Sequence, residues 1–355
     1  MPEQPTTESI TTKMISQVGA ILHLNSNLPL LDADLKRGHK HWELDGSCVL
    51  ISLQHVLTIR HTLSKSGRYA VFFPGEGIIL LDEGEHVRDQ RYGDNLLITR
   101  LERPVQHVSP LKWEKVKKDS VRQAIIAGYG RWRGLPDPGT DGIQRQVAVR
   151  LGMPGPEEGG PRHYDNLDLC WWSPWNREVA ALRNNSGGPM LLLKSGGGQA
   201  PFTVVGINRE EKGPQQAGSW ITRDRNSWLG HWFGKLFPNG LPPPDQSVIR
   251  ADTLPLLLRP GVGSVVRLPV PNGAGRISAT LSATEGLRLQ MKLVPGTEPP
   301  GFLTTLAQDG RSAGRFLHRE EEVDGWSEVV VGVTSVEGAE TKADRVLAQL
   351  RCVFV

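Results

Sequence analysis

The feature that most constrains this chain is a succession of short apolar segments. Each is rich in Val, Ile and Leu and is bounded by Gly, Pro, Asp or Asn. Closely spaced segments of this kind are typical of barrels and sandwiches, whereas strands alternating with helical patterns are typical of βαβ units. The 40 glycines and 26 prolines also favour turns over long helices. We therefore predict an all-β fold. The segments are VGAILHL, SCVLISL, HVLTIR, YAVFF, GIILL, NLLITRL, AIIAGYG, VAVRLG, MLLLK and FTVVGIN.

The pattern changes near residue 226 and divides the chain. RNSWLGHWFGKLF spaces its large apolar residues like one face of a helix, and PNGLPPPDQS after it is typical of a stiff linker. Strand-like segments then resume with GSVVRLPV, GRISATLSA, LRLQMKLV, SEVVVGVTSV and LAQLRCVFV. A length of 355 residues suits two domains. We predict a tail (1–14), a first β domain (15–237), a Pro-rich linker (238–250) and a small β-sandwich-like domain (251–355).

Charge and cysteine content exclude several classes of protein. The 41 basic and 38 acidic residues leave a net charge of +3 without a long basic run, so a nucleic-acid partner is not expected. No run of apolar residues is long enough for a membrane helix, and the N-terminus lacks the pattern of a secretory signal. Three cysteines, Cys48, Cys170 and Cys352, cannot build a disulfide framework. We expect a cytoplasmic protein with no membrane partner.

Three separated residues are candidates for nucleophilic chemistry. Ser186 lies in LRNNSGGPML, where flanking glycines allow a tight bend that exposes a hydroxyl. His61 follows the apolar run HVLTIR, and Asp94 precedes the run NLLITRL. A serine hydroxyl is a poor nucleophile at neutral pH and needs a base within hydrogen-bond reach. The alternatives are a surface histidine, an aspartate that ends a turn, and an ordinary glycine loop around the serine.

The order His61, Asp94, Ser186 resembles that of the chymotrypsin-like (trypsin-like) serine peptidases. LTIRHT is similar to the family's LTAAHC-type motif, GDNLLITRL to its DIALL-type motif and NSGGP to its GDSGGP motif. Secondary similarities follow in order: IIAGYGRW to the AGWG strand, YDNLDLC to the NMFC segment, VVGIN to the strand after the serine, and AGSWITRDRNSWL to the ending that leads into a helix. The resemblance covers residues 15–237 and implies two six-stranded antiparallel β-barrels.

The resemblance also implies a set of roles. His61 would accept the proton of Ser186, and Asp94 would orient the imidazole and stabilise its charged form. The backbone N–H groups of Asn184 and Ser186 would form an oxyanion hole, in which each donor contributes about 3 kcal/mol. The activity implied is that of a serine endopeptidase that acts on protein or peptide substrates through an acyl-enzyme and needs no cofactor or metal.

The chain departs from the family at several positions. Asn184 stands where the family has glycine, and Asn185 where zymogen-activated members have an aspartate. Thr62 replaces a cysteine that usually forms a disulfide. In the substrate pocket, Ala180 replaces the aspartate of trypsin-type members, so cleavage after Lys or Arg is not supported and a small or apolar side chain is preferred. The other predicted pocket residues are Gly218 and Trp220 on the wall and Asn208, Arg209 and Glu210 on an edge strand.

Several functional alternatives follow from these departures. The chain is either an endopeptidase with limited, regulated targets in signalling, stress or defence, or a catalytically silent peptidase fold that acts as a binding module; an esterase would use the same triad. The C-terminal domain resembles the small β domains of bacterial secreted peptidases and is a candidate site for a regulatory protein. His39 and His41 could share a strand face, but no ligand pattern completes a metal site. The REEE run at 319–322 is typical of a solvated surface.

Overall fold

The chain adopts an all-β structure, as the sequence predicts. The structure is a computed structural model, and within the residues that it describes the strands β1 to β21 are accompanied by one 3₁₀ turn and one α-helix. The described residues are 14–24, 42–88, 96–115, 123–130, 132–133, 143–151, 169–174, 180–181, 185–193, 202–212, 215–220, 223–236, 248–259, 262–283, 288–297, 316–336 and 346–355.

The first six strands close into an antiparallel barrel in the order β1-β2-β3-β6-β5-β4. A turn at Leu53 and Gln54 joins β2 to β3 as a hairpin. A 3₁₀ turn, Arg60–Leu63, follows β3 directly. The strands are β1 (Val18–Leu24), β2 (Trp42–Ser52), β3 (His55–Ile59), β4 (Arg68–Phe73), β5 (Gly77–Arg88) and β6 (Leu96–Leu101).

A second closed barrel has the order β10-β14-β13-β12-β7-β9, and β8 and β11 form a separate two-stranded ladder. Two closed six-stranded barrels are compatible with the chymotrypsin-like arrangement expected above. The strands are β7 (Gln123–Gly128), β8 (Trp132–Arg133), β9 (Arg145–Leu151), β10 (Leu169–Pro174), β11 (Ala180–Ala181), β12 (Pro189–Leu193), β13 (Phe202–Lys212) and β14 (Gln215–Trp220).

Alternation along the strands divides the buried side chains between two clusters. In β1, Ile21 belongs to a cluster confined to the first barrel and the segment after it. Val18, Ala20 and Leu22 belong to a larger cluster shared with the second barrel. The same cluster includes Leu229 and Phe233 of helix α1 (Arg223–Leu236), which begins two residues before the predicted helical pattern. Burial on both faces explains why these strands are continuous apolar runs.

Residues after 248 form two sheets, β15-β21-β17-β19 and β16-β20-β18, with an apolar cluster drawn from both. The predicted β-sandwich-like unit is therefore present, although the residue limits of the domains remain predictions and the linker segment 238–247 lies outside the described residues. The strands are β15 (Arg250–Leu258), β16 (Ser264–Pro269), β17 (Arg276–Ala283), β18 (Arg288–Pro295), β19 (Phe316–Glu322), β20 (Glu328–Val336) and β21 (Val346–Phe354).

The C-terminal unit packs directly against both barrels. Phe316 lies with its ring centroid 4.8 Å from that of Phe72 in the first barrel and 6.5 Å from that of Tyr129 in the second. Gln349 accepts a hydrogen bond from the Gln144 backbone N–H at 2.9 Å and donates one to the Gln144 carbonyl at 2.9 Å. Paired amide contacts of this kind, buried beside an aromatic cluster, fix the unit at a defined position.

Candidate active site

The turn that carries Ser186 is anchored to strand β13. The Gly187 N–H donates to the Asn208 carbonyl at 2.8 Å, and the Asn208 N–H donates to the Gly188 carbonyl at 2.8 Å. The buried Asn185 side chain accepts a hydrogen bond from the Gly130 N–H at 3.1 Å. These bonds leave Ser186 half-buried at the bend, next to the start of β12.

Both glycines after Ser186 are required by close approach of the chain. Gly187 has a φ of +85°, and a Cβ there would overlap the Ser47 carbonyl oxygen and Thr58 Oγ1. A Cβ on Gly188 would overlap the Ala127 carbonyl oxygen. The positive φ at Gly187 is unfavourable for a residue with a side chain. The steric overlap disfavours a side chain at both Gly187 and Gly188. The glycine pair therefore brings the serine turn against both barrels.

Ser186 makes two described contacts that fix its position. Its carbonyl accepts a hydrogen bond from the Ser47 N–H of strand β2 at 2.8 Å, which ties the turn to the first barrel. Its hydroxyl donates to the Arg209 carbonyl at 2.9 Å. Arg209 lies at an irregularity in the pairing of β13 with β14, and bulges of this kind occur next to active sites because they redirect backbone groups. The hydroxyl thus lies between the barrels and beside β13.

His61 lies in the 3₁₀ turn Arg60–Leu63 and is exposed. Thr62 stabilises this turn. Its hydroxyl donates to the Ile59 carbonyl at 2.7 Å and lies 3.2 Å from the Thr58 hydroxyl. Gly46 connects this turn to the serine turn, because a Cβ on Gly46 would lie 2.6 Å from Thr62 Cγ2 and 2.9 Å from the Ser186 carbonyl oxygen. The residue next to His61 and the backbone of Ser186 therefore approach the same point.

Two predicted site residues, Asp94 and Asn184, lie outside the described residues, as do His39 and His41. Their predicted roles stay predictions.

The predicted pocket residues fall into two groups. In the second barrel, Asn208 is paired with Gly218 across β13 and β14, with Gly206 opposite Trp220 and Glu210 opposite Ala217. Ala180 lies in strand β11, where it is paired with Arg133 of β8. The structure thus brings Asn208 and Gly218 together next to the Ser186 turn, and it places Ala180 in a separate ladder.

Asn208 differs from the expectation of an edge-strand residue. Its N–H and carbonyl already bond to the serine turn, its side-chain amide donates to the Asn185 carbonyl at 3.1 Å, and it is 4% exposed. Within the described structure, β13 lies between β12 and β14, and its pairing with β12 reaches only as far as Ile207. The backbone of Asn208 is therefore engaged within the protein, and the pairing of β13 with β12 ends before Arg209 and Glu210.

The sequence did not predict the two polar residues that contact the serine turn from the first barrel, Ser47 and Thr58. Thr58 donates its hydroxyl to the Ser47 carbonyl at 2.8 Å, and the Ser47 hydroxyl accepts from the Tyr129 N–H at 3.0 Å. Both are buried in strands that are otherwise apolar. Since a buried hydroxyl needs a partner, a lone Ser or Thr within such a run is a usable signal of an internal contact.

The described cysteines are not nucleophiles. Cys48 and Cys352 are free and buried. Burial raises the pKa of Cys48, and burial together with the nearby Asp252 raises the pKa of Cys352 to about 12. Both therefore remain thiols at neutral pH. Among the residues that the structure describes, no group of three or more His, Cys, Asp or Glu side chains is arranged to hold a metal ion.

No protein-family model and no curated protein sequence matches this chain. One solved structure to which it is similar, described as "Structure of GrC", is 15% identical with a TM-score of 0.45; the match covers 61% of this chain and 94% of that chain. The fold is defined by the strand order and register of the chain itself. Over the described ranges, none of the helices has the length and apolarity needed to span a bilayer.

Proposed function

We propose that the chain is a serine endopeptidase that uses His61, Asp94 and Ser186 as its triad. The observation that carries this proposal is the position of Ser186, on a glycine-locked bend at the seam of two barrels. The 3₁₀ turn that bears His61 approaches the same seam, since Thr62 and the Ser186 carbonyl both lie next to Gly46. A nucleophile from one barrel and a base from the other is the division of labour that the resemblance implies.

The register of the first barrel supports the assignment of Asp94. Leu96, two residues after Asp94, is paired with Ile59, which lies two residues before His61. Two residues of chain span at most about 7 Å, and on this ground we propose that Asp94 acts next to the turn that carries His61. A carboxylate at this position would orient the imidazole and stabilise it when protonated.

In the proposed reaction, the Ser186 oxygen forms a bond to the carbon of the scissile peptide while His61 takes the hydroxyl proton. His61 then passes that proton to the leaving amine as the C–N bond breaks, which leaves an acyl-enzyme. Water, deprotonated by His61, attacks the ester, and the acid product leaves as Ser186 recovers its proton. The N–H groups of Asn184 and Ser186 are the proposed donors to the oxyanion.

The bond from the Ser186 hydroxyl to Arg209 implies a restrained resting state. A serine hydroxyl carries one proton, and here it is donated to a backbone carbonyl. Transfer to His61 first requires rotation of the Ser186 side chain, which substrate pairing along Arg209 and Glu210 would favour by engaging that backbone. This supports limited, regulated cleavage, in signalling, stress or defence, over general protein degradation.

The proposal also covers the substrate preference, the cellular location and a regulatory partner. With Ala180 in place of an acidic residue, we propose a small or apolar side chain before the cut, in a pocket formed with Gly218 and Trp220. The free thiols of Cys48 and Cys352 support a cytoplasmic location. The C-terminal unit, which contacts both barrels, is the proposed binding site for a regulatory protein.

The same hydrogen bond favours a second candidate function. A hydroxyl that stays on the Arg209 carbonyl would leave a peptidase fold without activity, and the groove beside β13 would then bind an extended segment without cutting it.

A fluorophosphonate probe, which loses fluoride as it phosphonylates an activated serine, distinguishes the two functions. We expect labelling of the full chain at Ser186, its complete loss in Ser186→Ala, and a loss of about 100-fold or more in His61→Ala and Asp94→Asn. Ser327→Ala, an exposed serine of the C-terminal unit, is the matched control and should label normally. Absence of labelling in the unsubstituted chain, with or without an added peptide library, would contradict the enzyme and support the binding module.

A further inference from the structure

A cavity of about 820 Å³ lies between the first barrel and the C-terminal unit. Strand β5 and the segment after β6 form one wall, and β17 and β19 form the other; the residues that matter here are Ile78, Leu80, Arg103, Arg276, His318 and Glu320. Its volume is within the range of sites that bind small molecules, and such sites occur preferentially where two units meet. The site is separate from the Ser186 seam, since the residues that line it do not include those of the serine turn.

Rigid contacts hold the two walls at a fixed separation. The Gly75 N–H donates to Thr280 Oγ1 at 2.8 Å, and Ser278 Oγ donates to the Gly75 carbonyl at 2.7 Å. Gly77 has a φ of +80° and packs so closely on His318 that a Cβ would lie 2.6 Å from Cγ of the ring. A ligand would therefore enter a preformed cavity, with little ordering of the protein to oppose binding.

The cavity presents both signs of charge. Arg103, on the barrel side, donates to the Glu76 carbonyl at 3.2 Å, and Arg276 projects from the C-terminal side. Glu320 lies 3.2 Å from His318 Nε2, and this hydrogen bond, outweighing partial burial, lowers the pKa of Glu320 to about 2. The carboxylate is therefore ionised at neutral pH, and Glu320, Glu321 and Glu322 of the REEE run are exposed, as the sequence predicts.

A buried histidine, His107, follows Gln106, which lines the cavity. His107 is 5% exposed, and among the described residues none forms a hydrogen bond with either ring nitrogen. Burial lowers its pKa, and the charges of Glu320, His318, Arg276 and Arg103, all of which line the cavity, act on it as well. Buried polar groups without partners are uncommon, and perturbed titratable groups next to a cavity are typical of functional sites.

We propose that this cavity binds a short peptide with free termini, whose carboxylate pairs with Arg276 and whose ammonium group pairs with Glu320. Ile78 and Leu80 supply an apolar wall for one of its side chains. A simple anion would satisfy Arg276 but would face the ionised Glu320, and a simple cation would face Arg103 and Arg276. A ligand with both charges matches both walls at once.

Calorimetric titration of the full-length Ser186→Ala chain with the tripeptide Ala-Leu-Ala tests this site. The Ser186→Ala background prevents hydrolysis of the probe, so the result does not depend on the proposed peptidase activity. We expect saturable one-to-one binding with a Kd below about 1 mM. Acetylating the amino terminus or amidating the carboxyl terminus should each weaken binding about tenfold or more.

Two matched pairs of variants locate the binding. Arg276→Gln and Glu320→Gln should each weaken binding about tenfold or more. Arg267→Gln and Glu328→Gln, which remove an ion pair with a 2.7 Å contact elsewhere in the same unit, should leave it unchanged. Thermal unfolding checks that all four variants fold; if Glu320→Gln does not, Arg276→Gln with the amidated peptide decides. No saturable binding, binding that ignores both caps, or equal binding by Arg276→Gln and Arg267→Gln would each overturn the proposal.

Discussion

The first barrel meets its two neighbours through junctions that differ in their ionisable groups. Against the second barrel, at the Ser186 turn, the contacts are backbone groups, hydroxyls and an amide, all neutral and bonded to one another. Against the C-terminal unit, the contacts surround Glu76, a carboxyl that is 2% exposed, and His107, a buried imidazole. Both junctions contain neutral hydrogen bonds and close steric contacts, and the second also contains groups that can gain or lose a proton.

This difference indicates what each junction is suited to do. A neutral, closely packed junction keeps its geometry across pH, as a catalytic arrangement requires. A junction with buried ionisable groups changes its free energy with pH and with any charged ligand. The candidate catalytic seam is thus expected to be the constant part of the molecule, and the C-terminal junction the adjustable part.

The largest effect is expected at the seam, from Gly187→Ala. The new Cβ would overlap the Ser47 carbonyl oxygen and Thr58 Oγ1, both fixed by other bonds, at a φ of +85°. We expect a loss of about 4 kcal/mol or more in the free energy of unfolding, because neither neighbour can move aside. Denaturant unfolding measures the loss.

Gly273→Ala is the matched control for that measurement. Gly273 has a similar φ of +82°, but a Cβ there would meet no atom within 4 Å. It should cost only about 1 kcal/mol, the backbone term alone. Equal losses in the two variants would show that the seam is less tightly packed than its geometry indicates, and would weaken the contrast between the junctions.

A smaller loss is expected at the C-terminal junction, from Gly77→Ala. Its Cβ would press on the root of the His318 side chain, at Cγ and Cβ, where rotation gives little relief. We expect a loss of about 2–3 kcal/mol, smaller than at Gly187, because the overlap is with a side chain and not with a backbone carbonyl. Hydrogen exchange should accelerate in β19 but not in β12. Gly325→Ala, at a φ of +77° with open space around it, is the control, and uniform acceleration across both barrels would contradict a local opening.

The stability contributed by the C-terminal junction should depend on pH. Burial raises the pKa of Glu76 from 4.5 to about 7, against the lowering effects of the backbone N–H groups of His107 and Gln106 and the charge of Arg103. The folded protein therefore keeps a proton that the unfolded chain loses, so the stability contributed by this group falls as pH rises from about 4.5 through 7. Glu76→Gln should remove that fall, which we estimate at about 2 kcal/mol between pH 5 and 8.

The difference between the parent chain and Glu76→Gln is the quantity to measure, because neighbouring groups act in other directions. The lowered pKa of His107 adds stability that is lost as the pH falls below 6.5. The lowered pKa of Glu320 adds stability that is lost only in acid. Glu102→Gln removes an exposed carboxyl of the same cavity and should preserve the pH dependence of the parent chain. A difference that does not vary with pH would mean that Glu76 does not titrate in this range.

The sequence predicted most strands of the barrels because their signal is local. Segments such as VGAILHL and FTVVGIN carry β-branched and aliphatic residues on both faces, and the structure buries them on both faces. The sequence did not predict β15 and β19, because Pro255 interrupts the first strand and a run of charged residues fills the second. Both are the outer strands of one sheet, where a proline and solvated charges are tolerated.

The site was predictable only in part, for a physical reason. The glycines around Ser186 mark a special backbone position within four residues of sequence. The groups that make those glycines necessary, Ser47 and Thr58, come from strands far away in the chain and are recognised only when the barrels are assembled. The bond from the Ser186 hydroxyl to Arg209 likewise depends on a bulge, which no residue type specifies.

The smallest expected effect lies in the turn that carries His61. It tests whether the stability of the neutral seam is independent of pH. Thr62→Val keeps the shape of the side chain and removes the hydroxyl that bonds to the Ile59 carbonyl and lies next to Thr58. We expect a loss of about 1 kcal/mol in the free energy of unfolding, typical of one buried hydrogen bond, with no change between pH 5 and 8 because both partners are neutral. Thr62→Ser, which retains the hydroxyl, should recover that hydrogen bond. If the loss in Thr62→Val instead grows as the pH is lowered, a titrating group, most directly the adjacent His61, is coupled to this turn, and the seam is less constant than its neutral contacts imply.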